Sequence, residues 1–272
     1  MSFATLVQQN YYTLTQSEKK VADYILVTGP DIVFQTMGEI KKHTCVGDAT
    51  IIRFCQKLGF SGFSDLKIEI AKEDLNKGER LLNEDDYLKH VSPLMEMIKL
   101  TAANLDKVQV KDAVKLIAQA KHIYIFGVGG SGHSSCELES MFLRVGVKAQ
   151  AVTDPHYQAQ LASILDSNDV VIAFSLSGKT IDILDAVVTA KNNQTKVIVV
   201  TTYLNSPLAK QGEIVLKTSV DEFLNGGSLV GKISQQVVCD LLVWEYERTQ
   251  NIDTISLREK VLRSILNKRT DP

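Results

Sequence analysis

The sequence predicts a doubly wound α/β domain on a parallel five-stranded sheet, preceded by an all-α helix-turn-helix domain. Three observations predict it. Residues 1–75 carry only helical signals, residues 122–218 alternate apolar runs with helical segments, and those runs are rich in Val and Ile without polar alternation. A strand with no alternation is covered on both faces, as in a parallel sheet flanked by helices. The change of texture marks two domains. The expected division is 1–76 for the helix-turn-helix domain, 77–106 for a helical linker and 107–272 for the α/β domain.

The expected strands are 122–126, 149–152, 169–174, 196–202 and 213–216. Helical segments at 135–145, 158–165 and 181–191 separate the first four, and amphipathic stretches at 231–248 and 257–269 close the chain. The charged stretch 72–89 reads as a solvated connector, with helical periodicity resuming over 94–103 and 110–120.

Composition narrows the function classes. With 272 residues, 44% hydrophobic and 23% charged, the chain has the make-up of a globular protein. No apolar run approaches the roughly 20 residues needed to span a bilayer, and the N-terminus lacks the basic-then-apolar grammar of a secretory signal. A cytoplasmic location without membrane contact is expected. Cys45, Cys55, Cys136 and Cys239 form no C-x-x-C pair and have apolar neighbours, so they read as small core residues, with no metal site expected. Net charge is −2, and the first 75 residues hold eight Lys and Arg against nine acids. Any case for nucleic acid rests on pattern, because the electrostatic footprint is absent.

That pattern is present. Thr15–Glu18 and Thr36–Glu39 each fit a capping box that opens a helix. The first helix carries Val21, Ala22, Ile25 and Leu26 on one side; the second is short and breaks at Cys45-Val46-Gly47. Asp48 is placed to cap a third helix over 49–57, which stops at Leu58-Gly59. A short helix, a tight turn with Gly and a second helix make helix-turn-helix grammar. In the third helix Ile51, Ile52, Cys55 and Leu58 are expected inward with Phe54 at the margin, leaving Thr50, Arg53, Gln56 and Lys57 outward. A recognition helix needs such a stripe: short polar groups that reach base edges, and an Arg that grips guanine or phosphate. A helical bundle for protein contacts would show similar grammar. The run from Ala49 to Lys67, ATIIRFCQKLGFSGFSDLK, resembles the signature of RpiR-type bacterial regulators, with Gly47 where that family usually carries a capping Ser. The resemblance implies binding to double-stranded operator DNA.

Two turns carry the second set of motifs. The first strand runs into Gly127-Val128-Gly129-Gly130-Ser131-Gly132-His133, which satisfies G-x-G-x-x-G. Asp154, near the end of the second strand, stands where a dinucleotide fold would hold ribose. The third strand runs into Ser175-Leu176-Ser177-Gly178-Lys179-Thr180. Three hydroxyls within six residues at a strand-to-helix turn suit a phosphate monoester, because each donates to oxygen and the helix N-terminus adds amides. The segment nearly reads as a P-loop, but Ala173 replaces its first Gly. These marks resemble the SIS (sugar isomerase) domain over about 107–250. The resemblance implies that Ser131, Ser175, Ser177 and Thr180, with Gly129 and His133 beside them, hold a sugar phosphate. In Ser228–Gln235, Lys232 lies where RpiR-type regulators often carry an Arg.

A sugar-phosphate isomerase is the alternative, with His133, His156, Glu137 and Glu139 as candidate bases. No second residue is clearly assigned to proton transfer, and the arabinose-5-phosphate isomerases whose loop Ser131-Gly132-His133 resembles lack the N-terminal helix-turn-helix. The expectation is therefore a regulator without catalytic residues or cofactor, whose DNA binding responds to a sugar phosphate. One nearly neutral headpiece holds DNA weakly, so a homodimer or homotetramer on a palindrome is expected.

Overall fold

The computed structural model describes residues 3–80, 87–219 and 229–266. The chain divides into two compact units, Met1–His90 and Val91–Pro272, at a point inside the stretch expected to link the domains.

The first unit is helical: α1 (Phe3–Asn10), α2 (Gln16–Thr28), α3 (Met37–Thr44), α4 (Asp48–Lys57) and α5 (Phe63–Arg80). Both capping boxes form. Thr15 Oγ1 accepts the Glu18 amide while Glu18 accepts the Thr15 amide, and Thr36 and Glu39 do the same for α3. Such reciprocal caps satisfy amides that a helix start otherwise leaves orphaned. Cys45 ends α3 in the left-handed region, at φ 55°. In the core, Val21, Ala22 and Ile25 of α2 lie with Ile51, Phe54 and Cys55 of α4.

Four expectations change here. Phe54 is fully buried and Ile52 is 37% exposed, because positions 51, 54, 55 and 58 share one helical face and 52 lies roughly 100° away from 51. Leu26 is likewise 38% exposed. Asp48 does not cap α4: it is the first helical residue, Gly47 is the N-cap with no side chain to offer, and the Asp48 carboxylate takes Lys41 at 3.1 Å. Cys45 and Cys136 are exposed, so only Cys55 and Cys239 are core thiols. Burial pushes the Cys55 thiol up to about 12, and the Cys239 thiol is raised for the same reason.

Lys57 Nζ meets the buried Glu18 carboxylate at 2.7 Å and the Thr13 carbonyl at 3.2 Å, tying the end of α4 to the start of α2. Burial alone would raise the Glu18 pKa. The Lys57 ammonium and the Thr15 amide and hydroxyl outweigh it and hold the carboxyl below its ordinary value. A group depressed in the fold stabilises above its unfolded pKa, and that stability is lost as pH falls through the folded value. Glu18→Gln is therefore expected to cost about 1–2 kcal/mol at pH 7 and much less near pH 3. Urea unfolding at both pH values checks this; an equal cost at each would assign the effect to packing alone.

The second unit carries the sheet. Helix α6 (Tyr87–Asn104) contains the point of division, and α7 (Lys107–Gln119) precedes the first strand. There follow β1 (His122–Phe126), α8 (Gly129–Arg144), β2 (Ala149–Val152), α9 (Pro155–Ala162), β3 (Asp169–Phe174), α10 (Ile181–Asn192), β4 (Lys196–Thr201) and β5 (Ile214–Lys217). α11 (Leu229–Thr249) and α12 (Thr254–Leu266) come last. The order is β2-β1-β3-β4-β5, and every pair is parallel.

This order explains the layers. The chain moves one way from β1 to β2 and back past β1 to β3, so right-handed crossovers place α8 and α9 on opposite faces. β3 is buried at all six residues. Val170, Ile172 and Phe174 join the core under α7, α8 and α11, while Val171 and Ala173 join the core under α9 and α10.

The strands match their expected bounds to within a residue. α8 does not: it begins at Gly129, six residues early, so the Gly-rich run is helix rather than loop. α9 starts three residues earlier than expected, where Asp154 caps it. Residues 81–86 of the charged stretch, Ser228, and 267–269 of the last amphipathic stretch lie outside the described residues. No described helix is long and apolar enough to cross a membrane.

Candidate functional site

β1 and β3 are hydrogen-bonded neighbours whose continuations leave in opposite directions along the sheet. A sheet of this order opens a crevice beyond the carboxyl ends of those two strands. Both hydroxyl-bearing turns start there, directly after Phe126 and Phe174. Each leads into a helix whose first-turn amides receive no hydrogen bond from the N-cap side chain: Val128 before α8 and Thr180 before α10. First-turn amides left without a side-chain cap, with the positive end of the helix dipole, make an anion site.

In the second turn the hydroxyls bond among themselves. Ser175 Oγ accepts the Gly178 amide at 3.1 Å and lies 3.0 Å from Thr180 Oγ1; Ser177 Oγ accepts the Lys179 amide at 3.2 Å. Among the described residues Ser177 acts there as acceptor, which leaves its proton to give. The turn is pinned from behind, where Thr201 Oγ1 and the Thr202 amide both donate to the Leu176 carbonyl at 3.0 Å. Gly178 has φ +61°, and a Cβ there would overlap Ser206 Oγ.

In the first turn Ser131 is part-buried on the opening turn of α8. A Cβ on Gly127 would stand 2.6 Å from the Ser131 carbonyl oxygen, so β1 can pass beneath α8 only as glycine. His133 is exposed; its Nδ1 donates to the Gly129 carbonyl at 3.0 Å, which turns Nε2 outward. The start of α11 touches both turns. A Cβ on Gly130 would lie 3.7 Å from Lys232 Cε, and one on Gly231 would lie 2.7 Å from Leu176 Cδ1.

In the first unit, α3 and α4 are joined by Cys45-Val46-Gly47. Thr50, Arg53 and Gln56 occupy the outer face of α4, and Arg53 Nη2 donates to Thr50 Oγ1 at 3.3 Å. Lys57, expected beside them, is also exposed, and its ammonium pairs with the Glu18 carboxylate at 2.7 Å within the unit.

Comparison with known proteins fits both halves. The model described as "Helix-turn-helix domain, rpiR family" matches residues 1–77, and the SIS domain matches residues 116–244. An HTH-type transcriptional regulator of Haemophilus influenzae is 33% identical over 95% of this chain and 94% of its own length. The chain belongs to the RpiR family. The HTH-type transcriptional regulator RpiR of Escherichia coli is 28% identical over 84% of this RpiR-family chain and 80% of its own. Vibrio vulnificus NanR, solved with ManNAc-6P, shares the fold with a TM-score of 0.77 at 24% identity, covering 98% of this chain and 99% of that one. As an RpiR-family member the protein is a transcriptional regulator with a helix-turn-helix and a SIS domain.

Several candidates for other chemistries have structural employment in this RpiR-family chain. Asp154 accepts the Tyr157 amide at 2.8 Å as the cap of α9. Ala173 is a fully buried strand residue. Glu139 lines a groove with Cys136, Leu143 and Lys148 on the β2 side of α8. Ser134 and Gln235, both fully buried, were not singled out from the sequence; they meet across 101 residues at 2.7 Å, beyond the reach of any local motif.

Proposed function

We propose that this regulator binds double-stranded operator DNA as a homodimer or homotetramer through Thr50, Arg53 and Gln56, with Lys57 beside them, and that a sugar phosphate in the crevice modulates that binding. The observation that carries the ligand half is that the two turns bearing Ser131 and Ser175, Ser177 and Thr180 leave adjacent strand ends, each at a helix start with no side-chain cap. The likeness to NanR, a protein solved with a sugar phosphate, points the same way. Gly129 supplies a first-turn amide, and His133 reaches the sugar rather than moving protons. The magnitudes suffice: a few charge-assisted hydrogen bonds of roughly 1.5–3 kcal/mol each reach micromolar affinity, and a coupling of about 1–3 kcal/mol switches DNA binding.

Thermal-shift screening against pentose, hexose and amino-sugar phosphates tests this. A ligand at 100 times its Kd adds about 2.7 kcal/mol, and the unphosphorylated sugar is expected to add nothing measurable. The active sugar phosphate should change operator affinity between about 5- and 150-fold and emerge chemically unaltered. Steady interconversion would make the protein an isomerase instead.

A further inference from the structure

The hydroxyl of Ser131 is oriented from behind. Gln235 Nε2 donates to Ser131 Oγ at 2.9 Å, and Ser134 Oγ donates to Gln235 Oε1 at 2.7 Å. Ser134 is one turn along from Ser131 on α8, and Gln235 comes from α11, whose packing on α8 keeps the amide dry.

A carboxamide has one end that donates and one that accepts. With Ser134 donating to the oxygen end, the nitrogen end must face Ser131. A hydroxyl whose lone pair is filled by an N–H has to send its own proton elsewhere. The reverse orientation would let Gln235 Oε1 capture the Ser131 proton, leaving lone pairs toward the crevice, where they repel an anion. We propose that Ser134 and Gln235 form a positioning relay that fixes Ser131 as a hydrogen-bond donor to a phosphate in the crevice. The relay rests on the sugar-phosphate reading above and adds to it a reason for two buried polar residues. It also gives α11 a stake in occupancy, because an anion that fixes Ser131 strengthens a bond reaching into that helix.

Gln235→Glu is the decisive variant, nearly equal in size, with the donor end made an acceptor. A carboxylate takes the Ser131 proton and repels the anion; a protonated carboxyl donates as the amide does. Sulfate is the probe, since its charge is constant over pH 5.5–8.5, with Kd read from thermal shifts of the full chain. The titratable groups that flank the relay along its two helices, His133 and Glu137 on α8 and Lys232 and Cys239 on α11, are present in both proteins and cancel in the ratio of variant to wild-type Kd. That ratio is expected to rise at least tenfold from the acid to the alkaline end. Ser134→Ala, which frees the amide to turn, should weaken sulfate binding about three- to tenfold at every pH. A pH-independent ratio, or unchanged sulfate binding in Ser134→Ala, would overturn the relay while leaving the crevice assignment intact. Wild-type protein blind to sulfate and to every sugar phosphate would overturn the crevice assignment and the relay with it.

Discussion

Replacing Gly178 with Ala is expected to destabilise the α/β unit by about 2–5 kcal/mol and to abolish stabilisation by any sugar phosphate. Two costs add. Gly178 has φ +61°, where a side chain costs roughly 1–2 kcal/mol. The new Cβ would also overlap Ser206 Oγ and stand 2.9 Å from Thr201 Oγ1, and overpacking of this kind costs typically 1–3 kcal/mol. Neither neighbour yields freely. Ser206 Oγ accepts the Ala209 amide, and Thr201 Oγ1 holds the Leu176 carbonyl. Relief has to come from the turn, whose Gly178 amide is bonded to Ser175 Oγ and whose Gly178 carbonyl receives the Leu208 amide. Moving it disperses Ser175, Ser177 and Thr180. Thermal unfolding with and without ligand measures both effects; a variant that keeps its ligand shift would show that the turn is not the phosphate cradle.

How much of this was legible depended on how local each cause was. The strand bounds were read to within a residue, because a parallel strand buried on both faces must be continuously apolar, and β3 is buried along its whole length. The two hydroxyl turns were legible for a related reason, since each follows directly on such a strand. The start of α8 was not. Gly129, Gly130 and Gly132 argue against helix by propensity, yet the first turn is held there by a contact a sequence window does not contain: Gln235 arriving from α11 at Ser131. The ion pair of Lys57 was not legible for a similar reason. Helical spacing put Lys57 on the outer stripe of α4, but its partner Glu18 is 39 residues away on α2. Ser134 and Gln235 had no local signature at all, because a serine and a glutamine in helices look like solvated surface until the packing of α8 against α11 buries them.

The pairing of Lys57 with Glu18 sharpens what Arg53 has to do. With Lys57 neutralised by Glu18 and Asp48 facing Lys41, Arg53 is the cation projecting from the middle of the outer face of α4. Its guanidinium is steadied by Thr50 Oγ1, one turn earlier on the same stripe. A bidentate Arg contact with guanine is worth about 1–3 kcal/mol, and a dimer makes it twice. Arg53→Ala is therefore expected to cost about 2–6 kcal/mol on a two-headpiece operator, a loss of at least about 30-fold. Fluorescence anisotropy on DNA selected by the wild-type protein from a random pool gives the number. Lys57→Ala should behave differently, lowering the stability of the helical unit with a smaller effect on operator affinity, because it strands the Glu18 carboxylate rather than removing a group aimed outward. Ligand-induced thermal shifts should stay unchanged in Arg53→Ala. Loss of ligand stabilisation together with DNA binding would mean a folding defect. Unaltered DNA affinity would mean that α4 is not the helix that reads the operator.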